Sequence, residues 1–222
     1  MANWESHSRK QRDARRQAHT PTRNRSTRHL IEALRRSLAR QQEPFPSDSK
    51  KHRGAVGILI KDEADDLWLL MIRRRENPKD PWSGQMAFPG GRADPRDRTL
   101  LDTAAREVIE EVGIDVRRHE FIGCLQNIQT RNAPMIVAPF TFLLTATVHP
   151  TTSREATEIL WVPMSFLLNE KSISHFAAPI GEKGGSMPCY RYSDHVIWGL
   201  SFRIIREIVS KMTSDPYGQD AK

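Results

Sequence analysis

From Gly54 onward the apolar positions come in runs of strand length. Gly54 to Ile60 (GAVGILI) and Leu67 to Ile72 (LWLLMI) are divided by an acidic turn that starts at Asp62, and runs bounded by turn residues predict neighbouring β-strands. Further strands are predicted at 119–125, 135–147 and 157–163, and a Pro/Gly-rich stretch from Pro78 to Pro95 encloses the short run Met86-Ala-Phe. Two segments switch to helical spacing. One runs from about Thr99 to Val112 and is stopped by Gly113; the other runs from about His195 to Ser210, with Ile197, Leu200, Ile204, Ile205 and Ile208 on its apolar face. Upstream, Leu30, Ile31, Leu34 and Leu38 predict one short amphipathic helix near 28–41, capped by Ser26 or Thr27 and broken by the Pro-containing run after Glu43. Strands interleaved with long helices indicate an α/β domain with helices packed on a mixed sheet. Residues 1–25, nearly free of aliphatic side chains, are expected to be disordered.

Charge sharpens the division. The formal charge of +7 over 222 residues is not spread evenly: residues 1–53 hold fourteen Lys and Arg against five acids, a net of +9, which leaves the remainder at −2. The chain is therefore divided into a basic N-terminal extension (1–53), a folded domain (54–212) and a flexible tail (213–222). Any nucleic-acid partner is expected only through the Arg-rich arm. Cys124 and Cys189 show no paired spacing, so neither a disulfide framework nor a zinc site is expected. No run approaches the roughly 20 apolar residues of a membrane span, and the N-terminus lacks an apolar signal core. A cytoplasmic location is expected, with a mitochondrial or other organelle address as the alternative reading of the arm. A homodimer is compatible with the sequence.

The strongest chemical signal is Arg106-Glu107-Val108-Ile109-Glu110-Glu111-Val112-Gly113-Ile114. At about 100° per residue, Glu107, Glu110 and Glu111 share one face while Leu101, Ala105, Val108 and Val112 point toward the sheet. Three acids at i, i+3 and i+4 repel one another, and a hard divalent cation relieves that repulsion while keeping positions for phosphate oxygens and water. A solvated acidic face is the plain alternative, but the preceding Phe88-Pro-Gly-Gly91-Arg92 loop, whose glycines admit close approach of a ligand, favours a site.

Together these residues resemble the Nudix box: a Gly, a Glu, then Arg-Glu-aliphatic-x-Glu-Glu-x-Gly-aliphatic. The second half is matched throughout. In the first half fourteen residues separate Gly91 from Arg106 where the usual box has thirteen, so that Arg98, counted back from Arg106, stands in the place of the upstream Glu, with Asp94 and Asp97 as substitutes. The loop GGRxDPxD and the stretch from Trp82 to Gly91 are similar to the coenzyme A diphosphatase branch of that family. The branch's Leu-Leu-Thr-x-Arg signature is present only as Leu69-Leu-Met-Ile-Arg73. Glu155 to Met164 and His195 to Leu200 resemble later family segments, the second as part of the final helix, and the resemblance spans 54–210.

The resemblance implies an α/β/α sandwich and a Mg²⁺- or Mn²⁺-dependent diphosphatase acting on a nucleoside diphosphate linked to X. Coenzyme A or an acyl-CoA is the leading substrate, ADP-ribose or a dinucleotide the enzyme alternative, and a nucleic-acid-binding or regulatory protein the alternative of another class. It implies metal ligands at Glu107, Glu110, Glu111 and the Gly91 carbonyl, an orienting role for Arg106, and a general base among Glu107, Glu155 and Glu158. For substrate, Arg73, Arg74, Arg75, Arg92 and Arg131 are candidate phosphate partners and Trp82 or Phe88 candidate stacking surfaces. Trp161 and Trp198 are expected in the core, and His52, His175 and His195 in structural roles. Removal of residues 1–45 is expected to leave an enzyme's turnover intact.

Overall fold

The computed structural model describes residues 27–38, 53–78, 82–130, 135–177 and 185–214. β1 (Arg53–Glu63) and β2 (Asp66–Arg74) are the two apolar runs, extended at both ends and joined by a tight turn. β3 (Met86–Ala87) and β4 (Gly90–Arg92) follow, then α2 (Leu100–Val112), β5 (Glu120–Cys124), β6 (Ile128–Gln129), β7 (Ile136–Leu144) and β8 (Ala156–Pro163). Together they make one eight-stranded sheet in which β1 runs parallel to β7 and every other pairing is antiparallel, so the expected mixed sheet is present.

Alternation along β1 and β2 sends side chains to both faces. Leu59, Leu70 and Ile72 pack with Ala104, Ala105, Val108 and Val112 of α2. Ile58, Ile60, Leu69 and Met71 join the opposite core, built with α1 (Thr27–Leu38), the short α3 (Met164–Leu168) and α4 (Gly199–Thr213). A central sheet with helices on each face is the three-layer sandwich.

Three expectations change. α1 is no appendage: Leu30, Ile31, Leu34 and Leu38 are buried in the same core as α4. Arg35 grips Glu120 at the start of β5 through Nε and Nη2, at 2.8 and 2.7 Å, and the Ser37 hydroxyl donates to the Lys211 carbonyl of α4. The folded body therefore includes α1, because four aliphatic side chains on one helical face need a partner surface and α4 with β5 supplies it. Deletion of 1–45 would strip that core. Thr27, a proposed cap, lies inside the helix and donates its hydroxyl to Asp62.

Secondly, the final helix starts four residues later than its apolar spacing suggested. His195–Trp198 is β11, paired antiparallel with β10 (Ser186–Tyr192), which also pairs with β9 (Ile173–Ala177) to form a separate three-stranded sheet. The pattern of His-Val-Ile-Trp satisfies helix and strand alike, and the ladder to Cys189–Tyr192 decides it. Thirdly, Trp161 and Trp198 are half-buried rather than enclosed. Cys124 and Cys189 are both buried free thiols. The N-terminal arm (1–25) and most of the tail (215–222) lie outside the described residues, as do Ser26, His52 and Arg131.

Candidate active site

α2 is placed by its two ends. Thr99 accepts from the Asp102 backbone N–H while the Asp102 carboxylate accepts from the Thr99 N–H, a reciprocal cap. Gly113 ends the helix at φ 73°, a left-handed conformation that favours glycine. Between them the helix lies across β1 and β4.

The three glutamates do not share one solvated face. Glu107 and Glu111 are 8% and 2% exposed, whereas Glu110 stands in solvent. The Glu107 carboxylate lies against the backbone of Gly91, and a side chain at position 91 would collide with both of its oxygens. The Gly90 N–H donates to Glu111 Oε2 at 2.8 Å. The paired glycines thus have a specific purpose: they let the β4 backbone close over two carboxylates.

Arg106 holds the acidic cluster in place. Its Nε and Nη2 donate to the two oxygens of Asp97 at 3.1 and 3.0 Å, and Nη2 also donates to the Arg92 carbonyl at 3.1 Å. Nη1 donates to Glu107 Oε1 at 2.7 Å and Glu110 Oε2 at 3.1 Å. Asp97 in addition accepts from the Thr103 hydroxyl and the Asp94 N–H. Counted forward from Gly91, Asp97 occupies the place of the missing upstream Glu, so the extra residue lies between Asp97 and Arg106 and the carboxylate is retained in a shorter form. Asp94 instead pairs with exposed Arg96.

Electrostatics follow from burial. Arg106 holds the Asp97 carboxyl below the usual carboxylate range. Burial raises Glu107 against the opposing pull of Arg106. Burial also pushes Glu111 up to about 8, with the Gly90 N–H opposing it and the Glu107 charge adding to it. Two buried carboxylates thus share a site in which Arg106, the partner of Glu107, is already divided with Asp97 and Glu110, and Arg74 opposes the rise at Glu111 only weakly.

Among the described residues no three Asp, Glu, His or Cys side chains stand together as a ready metal cluster. The donor set nevertheless fits a hard divalent cation: two buried, under-neutralised carboxylates beside a backbone strand whose glycine leaves them room. Glu107, Glu111 and the backbone of Gly91 are the groups that would hold it.

Both glycines and Glu107 line a cavity of about 640 Å³. Glu155, Arg74, Arg92 and Trp82 line it too, while Glu158 does not. Glu155 is carried there by the turn before β8, where its carbonyl accepts from the Arg75 N–H at 2.8 Å and its own N–H donates to the Ser153 hydroxyl oxygen. Glu158 sits one strand-face further on, opposite Arg73, and meets His195 Nε2 at 3.0 Å. That pairing gives His195 a structural partner and takes Glu158 out of the cavity.

The remaining assignments divide. Phe88 is 2% exposed and forms cavity floor within the core, so it is not a free stacking surface; Trp82 is half-buried at the wall. Arg73 and Arg75 face a neighbouring polar groove with Glu158, and Arg74 lines both spaces. Arg74, one of the arginines that the sequence offered for phosphate, is the member of the run 73–75 that lines the cavity. The register shift between Arg73 and Arg74, where the pairing of β2 with β8 breaks step, has no signature in the sequence.

The site is thus built on a three-layer α/β sandwich whose carboxylate helix closes on a diglycine strand at the edge of a cavity. The model of the NUDIX domain matches residues 51–182, and the chain belongs to the Nudix hydrolase family. It is similar to the uncharacterized Nudix hydrolase NudL of Photorhabdus laumondii, at 31% identity over 75% of this chain and 87% of the relative. It is also similar to the mitochondrial coenzyme A diphosphatase NUDT8 of Mus musculus, at 29% identity over 61% of this chain and 66% of that one. Among solved structures, a MutT/nudix family protein from Enterococcus faecalis aligns at a TM-score of 0.48 and 18% identity, covering 84% of this chain and 73% of that one.

Proposed function

We propose that this protein is a divalent-metal-dependent diphosphatase whose substrate is coenzyme A or an acyl-CoA, cut to phosphopantetheine and adenosine 3′,5′-bisphosphate. The observation that carries the reading is the buried Glu107/Glu111 pair beneath Gly90 and Gly91, with Glu107 and both glycines lining a cavity that Arg74 and Arg92 line as well. Anionic ligands for a cation and cationic ligands for phosphate thereby share one space. The coenzyme A assignment is supported by the Gly84 to Gly91 segment and by the similarity to the mouse diphosphatase.

Mg²⁺ or Mn²⁺, when bound, supplies charge neutralisation for phosphate oxygens and a lowered pKa for water. The chain's own groups do the rest. Arg74 and Arg92 bind the non-bridging oxygens and orient the diphosphate. Glu155, exposed at the cavity wall, accepts the proton as water oxygen attacks one phosphorus and the bridging P–O bond breaks, its electron pair leaving on the departing phosphate. Arg106, fixed by Asp97, keeps Glu107 aimed inward and acts as a positioning residue. Glu158, held by His195, is assigned no proton transfer.

The test is a screen of purified full-length protein with Mg²⁺ and Mn²⁺ on coenzyme A, acyl-CoAs, ADP-ribose and dinucleoside polyphosphates, with products resolved by mass. Adenosine 3′,5′-bisphosphate and a phosphopantetheine are expected. Faster turnover of ADP-ribose or a dinucleotide than of every coenzyme A compound would overturn the substrate assignment.

A further inference from the structure

The cavity has two chemically different halves, and diphosphate hydrolysis uses only one. Where β10, β11 and α4 line it, the wall is largely apolar: Met187 from β10, Trp198 from β11, and Leu200 and Phe202 at the start of α4. All four are only half-buried, so part of their apolar surface is open to the cavity.

The lobe is built rather than incidental. The Phe176 ring meets the Trp198 ring edge-on with centroids 5.0 Å apart, which fixes the indole from behind. The buried Ser201 hydroxyl donates to the Met86 carbonyl at 2.9 Å and pins the first turn of α4 to β3. Ile204 and Phe88 close the lobe against the core. Of the polar residues at its edge, Thr130 Oγ1 is engaged with the Met135 carbonyl and Arg203 Nη1 with the Gln129 carbonyl, while Gln85 lies on the Arg74 side, its carbonyl accepting from the Arg74 N–H. A hydrocarbon asks for no hydrogen bond, whereas a purine has ring nitrogens to satisfy. Met187, unbranched and polarizable, adapts readily to a flexible chain.

We propose that this half of the cavity is an acyl-binding lobe that receives the hydrocarbon tail of the group X, with Met187, Trp198, Leu200 and Phe202 determining which tail length is cut fastest. The inference rests on the diphosphatase reading and narrows it: the preferred substrates carry an apolar tail, and free coenzyme A is the poorer one. The nucleotide end then points to the side of Arg74, toward the polar groove that Arg73 and Arg75 share with it.

The experiment measures kcat/KM of the full chain with Mg²⁺ on coenzyme A and its butanoyl, octanoyl and hexadecanoyl thioesters. Full burial of a methylene corresponds to about a fourfold gain, so a rise of about two- to fourfold per methylene is expected until the lobe is filled. Phe202→Ala and the milder Met187→Ala should each lower the octanoyl-to-free ratio at least about fivefold, and the pair guards against one variant failing to fold. A binding arm uses octanoyl-pantetheine, which carries no phosphate: it should quench Trp198 fluorescence in the wild type and not in Trp198→Phe. A flat chain-length profile on coenzyme A compounds that are cut, or no binding of octanoyl-pantetheine, overturns the lobe and leaves the diphosphatase reading standing. If no coenzyme A compound is cut yet octanoyl-pantetheine binds, the lobe stands and the coenzyme A diphosphatase reading falls. If no coenzyme A compound is cut and octanoyl-pantetheine does not bind, both fall.

Discussion

Replacing Glu111 with Gln separates what this carboxyl does for catalysis from what it costs the fold. Glu111 is 2% exposed and its pKa is raised to about 8 from an ordinary value of 4.5. Below pH 4.5 the carboxyl is protonated in both the folded and the unfolded chain and carries no linkage penalty. As pH rises, the unfolded chain ionises first, and stability falls until the folded group also ionises near pH 8; above that the loss is complete. The full shift corresponds to about 5 kcal/mol, and the part lost by pH 7 to about 3 kcal/mol. Gln is nearly isosteric and keeps an acceptor for the Gly90 N–H, but it buries an amide that recovers only part of its hydration, at a cost of about 1–2 kcal/mol. In the absence of divalent metal, Glu111→Gln is therefore expected to be more stable than wild type by about 3–4 kcal/mol at pH 8.5 and no more stable at pH 4.5. Urea unfolding in chelator at the two pH values measures the difference. The same variant in Mg²⁺ should lose at least about a hundredfold in kcat, because a preorganised charge at the site is gone. Equal pH slopes in the two proteins would refute the burial reasoning, and near-wild-type turnover would refute the metal assignment.

Four other outcomes are expected. Asp97→Asn should raise the Mg²⁺ concentration for half-maximal activity about 10- to 100-fold by loosening Arg106, with partial rescue by Asp97→Glu; an unchanged metal requirement would remove Asp97 from the positioning role. Glu155→Gln should lower kcat about a hundredfold, while Glu158→Gln should keep it within about threefold of wild type. Leu34→Ala, at a fully buried position of α1, should cost about 2–5 kcal/mol in denaturant unfolding, and a cost below 0.5 kcal/mol would return α1 to the status of an appendage. Finally, Mg²⁺ at about 100 times its dissociation constant should stabilise metal-free protein by about 3 kcal/mol, and no shift in melting temperature on titration would argue against a metal site.

The sheet and α2 are legible in the sequence because their hydrophobic periods are long and bounded by glycines, prolines and acidic turns. β9 and β10 are not, because Ile173 to Tyr192 alternates weakly and gains its order from the ladder to β11. The same ladder takes His195–Trp198 away from the helix that its spacing also allows. α1 was visible as a helix but not as core, since nothing in Leu30, Ile31, Leu34 and Leu38 says which surface they cover. At the site, the residue types pointed to the chemistry, yet the helical wheel treated Glu107, Glu110 and Glu111 as equivalent. Their inequality comes from β4, whose glycines close over two of them and leave the third outside. The separation of Glu155 from Glu158 depends on a partner thirty-seven positions away and was equally out of reach.

Arg106 makes contact with Asp97, Glu107, Glu110 and the Arg92 carbonyl through a single planar group. A guanidinium engaged on several edges reads the position of its partners and is indifferent to the number of residues that delivers them. The catalytic loop is therefore free to gain or lose length on the far side of Asp97, provided one carboxylate still arrives at the same corner. Fixed-spacing patterns written for such loops would pass over this chain at its first half. A description in terms of which atoms reach the arginine would not, and it states what mutation and drift at this loop have to preserve.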